Sequence, residues 1–171
     1  MRTLTPLILK EIDQMMDKIV ELAEKTIEET GVYGKTCNRC KEWTTTKKCH
    51  KCDKKTKDVL QRAQLSNLLS LSNETDSVKA LELFIRYQMG RETVNRGWTY
   101  SKDPKGEPFG DRVIQDFQTL AEWAEEIAKK GGSRPQKEIH LWLIRLYVGS
   151  LNRWFVALRG GEEGGEGGEE E

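Results

Sequence analysis

A chain of 171 residues, 36% hydrophobic and 33% charged, has the length of one domain around one core, and its 28 basic and 28 acidic side chains cancel to a formal net charge of zero. The cancellation hides a division, because six of the acids lie in the final GGEEGGEGGEEE; residues 1–159 keep 28 basic against 22 acidic residues, a net of about +6. The body of the chain is therefore basic, and its N-terminus, with no uninterrupted apolar core, no small-residue cleavage site and charges recurring from Lys10, is not expected to act as a secretory signal.

Outside one cysteine-bearing segment the punctuation divides nearly everything into helices. It predicts an all-α fold: a bundle of about five helices in one domain over 1–159, a small inserted four-cysteine zinc knuckle at about 35–57, and a disordered acidic tail at 160–171. Thr5 and Pro6 form a helix start, Pro at the first helical position being pre-organised. Ile8, Ile12, Met15, Ile19 and Leu22 then recur at alternating spacings of four and three on one face, up to a stop near Gly31. Met15 and Met16 read as adaptable core filler.

Cys37, Cys40, Cys49 and Cys52 are the only cysteines and read C-x2-C-x8-C-x2-C. Each C-x2-C pair lets two thiolates converge from one tight turn, and two pairs complete the tetrahedral shell that zinc favours in structural sites. Four thiolates leave no open position for a reacting water, which argues for a structural ion. Two alternatives stay open: disulfide or redox pairs, which the expected reducing cytoplasm disfavours, and His50 in place of one cysteine. From Lys35 to Lys57 nine Lys or Arg stand against two acids, Glu42 and Asp53, so the segment stays positive even with the charge of about −2 of a zinc tetrathiolate. Such a field attracts phosphate, with Trp43 as a candidate stacking ring and the Thr44-Thr45-Thr46 run as candidate hydroxyl donors. The bland counterpart is a solvated basic loop around a structural staple.

Thr56 is the predicted cap of a second helix that uses Leu60, Ala63, Leu68 and Leu69 and closes near Ser72 and Asn73. A third starts around Thr75 to Ser77 and runs toward Gly97. The stretch WTYSKDPKGEPFG is a breaker-rich loop, whose Trp98, Tyr100 and Phe109 either cap the bundle's own core or dock a neighbour. A fourth helix buries Ile114, Phe117, Ala121, Ala124 and Ile127 and stops at Lys129-Lys130-Gly131-Gly132. The last, from about Gln136 to Arg159, contains HLWLIRLYVGSLNRWFVAL. Arg145 and Arg153 would each cost about 2.5 to 3.5 kcal/mol in mid-bilayer, so it reads as the central helix of a bundle and not as a membrane span.

On that last helix Arg145, Gly149, Asn152, Val156 and Arg159 fall within about 40° of one line, a polar stripe on an otherwise apolar helix. The third helix aligns Lys79, Arg86 and Gly90 in the same way. Arg followed four residues later by Gly makes a face where a phosphate backbone can approach while a guanidinium grips it; tight packing of two helices is the other use of such a glycine. Catalytic constellations are missing. There are two histidines, no H-E-x-x-H, Walker A, G-x-S-x-G or deaminase signature, and Glu125 and Glu126 belong to a charged outer face, so no enzyme is expected.

The run AQLSNLLSLSNETDSVKALELFIRYQMGR resembles the Q-L-x-N-L/F-L segment and following Arg-rich helix of the small subunits of type III CRISPR effector complexes, and HLWLIRLYVGSLNRWFVAL is similar to their closing helix. The resemblance covers about residues 58–159; the zinc knuckle departs from the plain helical bundle of that family. It implies a non-catalytic antiviral-defence subunit, repeated in a ribonucleoprotein, that contacts guide RNA and target RNA through basic helix faces and packs against backbone and large subunits and copies of itself. Carried over by position, the implied RNA-facing residues are Gln64 and Asn67, then Arg86, Gln88 and Arg91, and finally Arg145 and Arg153. Sequence would be read by base pairing while the protein holds the backbone. Two rivals come from other classes: a zinc-containing DNA-binding regulator, whose recognition helix would be the one after the knuckle, and a helical scaffold without a nucleic-acid role.

Overall fold

The computed structural model describes residues 4–131 and 135–163. Five α-helices and one small sheet make up the architecture: α1 (Pro6–Thr30), β1 (Lys35–Cys37), β2 (Trp43–Thr44), β3 (Thr56–Asp58), α2 (Arg62–Glu74), α3 (Val78–Arg91), α4 (Phe109–Lys130) and α5 (Gln136–Glu163), with a 3-10 turn at Gly97–Thr99. The fold is thus a helical bundle with a four-cysteine knuckle inserted between its first two helices. The first helix begins and ends as its sequence dictates. Thr5 Oγ1 accepts from the N–H of Ile8, Pro6 occupies the first helical position, and Gly31 closes the helix at φ 71°.

The core is organised around α5, which packs against α1, α2 and α4. Ile139, Leu141, Leu143, Ile144, Tyr147, Val148, Leu151 and Phe155 are all buried, covering most of its circumference, as befits a central helix. Among the described residues no helix is long and apolar enough to cross a membrane. Trp98, Tyr100 and Phe109 belong to the same core: Trp98 stacks on Phe109 at 5.1 Å between centroids and meets Phe84 edge-on at 6.4 Å. Of the two uses foreseen for these rings, capping the core is the one realised, and they present nothing to a neighbour.

Several boundaries differ from expectation for identifiable reasons. Thr56 caps no helix; it lies in β3, opposite Cys37, and its hydroxyl donates to the carbonyl of Thr46 at 2.6 Å. Pairing with β1 holds 56–58 extended, and α2 starts only at Arg62, where the N–H of Gln61 donates to Gln64 Oε1 at 2.9 Å. The third helix stops at Arg91 because the Glu92 carboxylate ties the chain down, accepting from Gln64 Nε2 at 2.6 Å and from the N–H of Trp98 at 2.5 Å. On α4 the buried line runs through Val113, Asp116 and Leu120, leaving Ile114 and Ala121 half-buried. Residues 160–163, expected to begin the disordered tail, continue α5, since adding residues to an established helix needs no new nucleus. The remainder of that tail, from Gly164, and Gly132 lie outside the described residues.

One polar element of the interior was not foreseen. Asp116 is buried and accepts from the hydroxyls of Thr26 on α1 and Tyr147 on α5, while Arg112 Nε reaches its second oxygen at 3.4 Å. Three helices are thereby held in register by one carboxylate. Burial raises its pKa against the pull of these partners, Thr26 and Tyr147 foremost.

The polar stripe of α5 also turns inward. Arg145 Nε donates to the carbonyl of Ser72 at 2.7 Å, and its Nη2 to the carbonyl of Thr75 at 3.2 Å and to Asp76 at 3.3 Å. It therefore satisfies acceptors left over where α2 ends. Gly149 and Gly90 serve no helix packing: a Cβ at either would meet nothing within 4 Å. Charge-assisted bonds of this kind contribute about 1.5 to 3 kcal/mol each. Arg145→Ala is expected to lower unfolding free energy by about 2 to 4 kcal/mol in urea titration, with Arg145→Lys recovering less than half. A change under about 0.5 kcal/mol, typical of an ordinary surface position, would contradict the anchoring role.

Candidate metal centre and its basic surface

Two copies of one turn, twelve residues apart, build the four-sulfur cluster. In the first, the N–H of Lys41 donates to the carbonyl of Cys37 at 3.2 Å and the N–H of Cys37 to that of Glu42 at 2.9 Å. In the second, Asp53 donates to Cys49 and Cys49 to Lys54, both at 2.9 Å. Lys41 and Asp53 take the same left-handed conformation, φ 61° and 54°. Each turn swings its second cysteine back toward its first, and the pairing of β1 with β2 and β3 brings both turns together.

All four sulfurs lie within 4.8 Å of one another, with Cys37 to Cys52 at 3.4 Å, Cys40 to Cys49 at 3.5 Å and Cys40 to Cys52 at 3.8 Å. A tetrahedral ion with metal–sulfur bonds of about 2.3 Å sets its ligands about 3.8 Å apart, so the donor set fits a four-coordinate metal. No pair approaches disulfide distance, about 2.05 Å. His50 is not part of the cluster; its Nε2 lies 3.4 Å from Thr46 Oγ1. Backbone N–H groups, that of Cys40 first and that of Arg39 among them, outweigh burial and draw the Cys37 thiol down to about 6. At Cys40 the N–H of Glu42 pulls the same way, yet burial and the adjoining sulfurs prevail and push its thiol up to about 11. An incoming cation must therefore displace protons, which makes binding weaken in acid.

Trp43 is the joint between knuckle and bundle. Its Nε1 donates to the carbonyl of Gly31 at 2.8 Å, Tyr33 meets its ring edge-on at 5.4 Å, and Lys102 Nζ lies 3.7 Å from its centroid. Gly34 permits this contact, since a Cβ there would fall 2.3 Å from the indole nitrogen. A ring so enclosed is not available for base stacking. Two of the three threonine hydroxyls are engaged within the knuckle: those of Thr44 and Thr46 lie 2.9 Å apart, and Thr46 donates to the carbonyl of Lys48 at 2.6 Å.

What remains exposed on the knuckle is charge. Arg39, Lys41, Lys48, Lys51, Lys54 and Lys55 are all exposed; Lys51 is 3.4 Å from Glu42, and Lys35 is held by Asp58 at 2.6 Å. Lys48 and Lys55 stand opposite each other in an isolated antiparallel bridge. Like charges in such a pair repel, so the bridge places a preformed positive pair at the surface. Arg96, which sequence reading assigned no role, joins this field. The pKa of Lys57 is lowered by burial and then by the charges of Arg96 and Lys41. The tertiary bond from the N–H of Gly97 to the carbonyl of Val59, 3.0 Å, helps bring that loop here, together with the bond from Gln64 to Glu92.

The residues implied as RNA-facing are dispersed. Gln64 is engaged at the start of α2 by Gln61 and Glu92, and Arg145 is held in the α2–α3 corner. Asn67, Arg91 and Arg153 are exposed, Gln88 is half-buried, and Arg86 is exposed with Asp111 at 3.1 Å. Arg91 lies over the ring of Tyr87 at 5.4 Å. No family model, no curated protein and no solved structure matches the chain.

The cluster predicts its own assay. Mass spectrometry of freshly reduced protein should find one metal ion per chain, and Cys37→Ser with Cys40→Ser should abolish it. Because the binding energy of a structural ion is folding energy of its own segment, chelation should speed amide exchange across 35–58 while the far-ultraviolet helical signal persists. Collapse of the whole bundle on chelation would show that the knuckle is not a separable unit.

Proposed function

We propose that this protein is a non-catalytic subunit that holds RNA by its phosphate backbone on a zinc-organised knuckle, as a small subunit of a cytoplasmic type III CRISPR ribonucleoprotein. The carrying observation is the set of exposed cations on the knuckle, above all Lys48 facing Lys55. A phosphate between two opposed lysines turns their repulsion into attraction. Four thiolates suit zinc, whose tetrahedral preference and lack of redox chemistry make it a staple for such a surface.

The effector-complex assignment draws on the motif resemblance over 58–159 and on chemistry consistent with it. Asn67, Arg86, Gln88, Arg91 and Arg153 extend the proposed RNA contact from the knuckle onto the helices, and Gln64 and Arg145 support that surface by fixing α2. The open surface at Gly90 and Gly149 leaves room for close approach by another molecule of the assembly. The buried carboxylate of Asp116, whose pKa burial raises, is enclosed by Thr26, Tyr147 and Arg112, which fits a structural part and no acid–base role.

Titration of single-stranded and guide-paired RNA against salt tests the reading. Each lost phosphate contact should make the salt slope shallower by about 0.7 on a single strand, so Lys48→Ala with Lys55→Ala should reduce it by about 1.4 and weaken all sequences alike. A flat wild-type slope would eliminate nucleic-acid binding, and tighter binding to one duplex DNA sequence would favour the regulator instead. Isolation from the native cell without guide RNA or partner subunits would remove the effector-complex assignment.

A further inference from the structure

The last helix reaches the root of the knuckle through Arg159. Arg159 Nη2 donates to the carbonyl of Leu60 at 2.7 Å and lies 3.5 Å from Asp58, while its Nε donates to the carbonyl of Tyr33 at 3.1 Å. Tyr33 immediately precedes the knuckle and packs on Trp43; Asp58 ends β3 and holds Lys35. The end of α5 at Glu163 is four residues further on, about 6 Å along the helix axis. Residues 164–171 then supply Glu166, Glu169, Glu170 and Glu171 and not one basic side chain. Fully extended, these eight residues reach about 26 to 29 Å.

We infer that the acidic segment 164–171 docks on the basic knuckle of its own chain, across Arg39, Lys48, Lys54 and Lys55, and competes there with anionic ligands. Four carboxylates meet a surface that carries opposed lysines and whose only exposed acids between Lys35 and Lys57 are Glu42, already near Lys51, and Asp53. Charge complementarity selects the occupant. Four glycines among these residues, Gly164, Gly165, Gly167 and Gly168, impose no backbone conformation that would forbid the turn back. A short tether gives an effective concentration of order mM, enough to make a weak contact well populated yet easily displaced by a polyanion. The contact would work as a charge filter. A ligand presenting several phosphates displaces the tail, and one offering a single anionic group does not.

This inference adds a regulator to the proposed RNA-binding surface, but its first readout needs no RNA. The metal-loaded full-length protein is compared by amide NMR with the variant Glu166→Gln, Glu169→Gln, Glu170→Gln and Glu171→Gln, at low and at high salt. At low salt the resonances of Arg39, Lys48, Lys54 and Lys55 should shift between the two forms, independently of protein concentration, and the difference should vanish at about 0.5 M salt. In parallel, a single-stranded oligouridylate should bind the Gln variant about two- to tenfold more tightly at low salt. Knuckle shifts without any RNA affinity in either form would sustain the docking and sink the RNA reading. Unshifted knuckle resonances, with RNA affinity equal in the two forms, would overturn the docking and leave the RNA reading intact. Shifts that grow with protein concentration would place the tail on another copy and overturn the intramolecular form.

Discussion

Arg159 closes the structure. An insertion between two helices must enter and leave the bundle somewhere, and each crossing strands a backbone carbonyl that a helix or sheet would have paired. Here one guanidinium donates to both, the carbonyl of Tyr33 on the way in and that of Leu60 on the way out, while its plane lies over Phe155 at 4.3 Å. Its planar fork suits that double task in a way an ammonium would not. Arg145 performs the equivalent task two helical heptads earlier at the α2–α3 corner. The bundle's central helix therefore pins both irregular stretches through arginines on one line.

The consequence for the knuckle is a firm seat. Its own apolar content is small, and a segment of this size cannot be held by burial alone. The sulfur cluster supplies cohesion within it, and Trp43, bonded to the carbonyl of Gly31 and wedged over Gly34, joins it to the end of α1. With the backbone fixed from both sides, the lysines at its surface start from defined positions, which reduces the ordering needed to grip an anion.

Sequence reading reached the fold wherever a rule is local. Thr5, Pro6 and Gly31 mark a helix by their own backbone chemistry, and C-x2-C turns announce their cluster because the chemistry lies within four residues. It failed where a partner distant in sequence decides the outcome. Thr56 has the side chain of a cap, yet strand pairing with Cys37 claims its backbone. The line from Arg145 to Arg159 was correctly found as a stripe, but a stripe cannot say whether its guanidiniums meet phosphate or carbonyl oxygen. Both are oxygen acceptors suited to a guanidinium. Asp116 was invisible for a related reason: on a helix rich in acids, nothing local distinguishes the one carboxylate that Thr26 and Tyr147 enclose.

The arrangement separates two demands that conflict in a single element. A helix face that binds polyanions must leave its cations unpaired, whereas a helix in a bundle gains stability by engaging them, as Arg112 does with Glu29 and Lys130 with Glu11. The bundle takes the second course at these positions, while Arg91 and Arg153 stay exposed on its helices. The knuckle can take the first, since its cohesion comes from sulfur and backbone bonds that do not depend on its surface charges. Self-repulsion between Lys48 and Lys55 is tolerable there because the bridge they sit on is held by the hydrogen bonds between Cys49 and Lys54 and between Thr56 and Lys47 on either side. A surface can remain electrostatically frustrated, and so ready for an anion, only where something other than its charges holds it together.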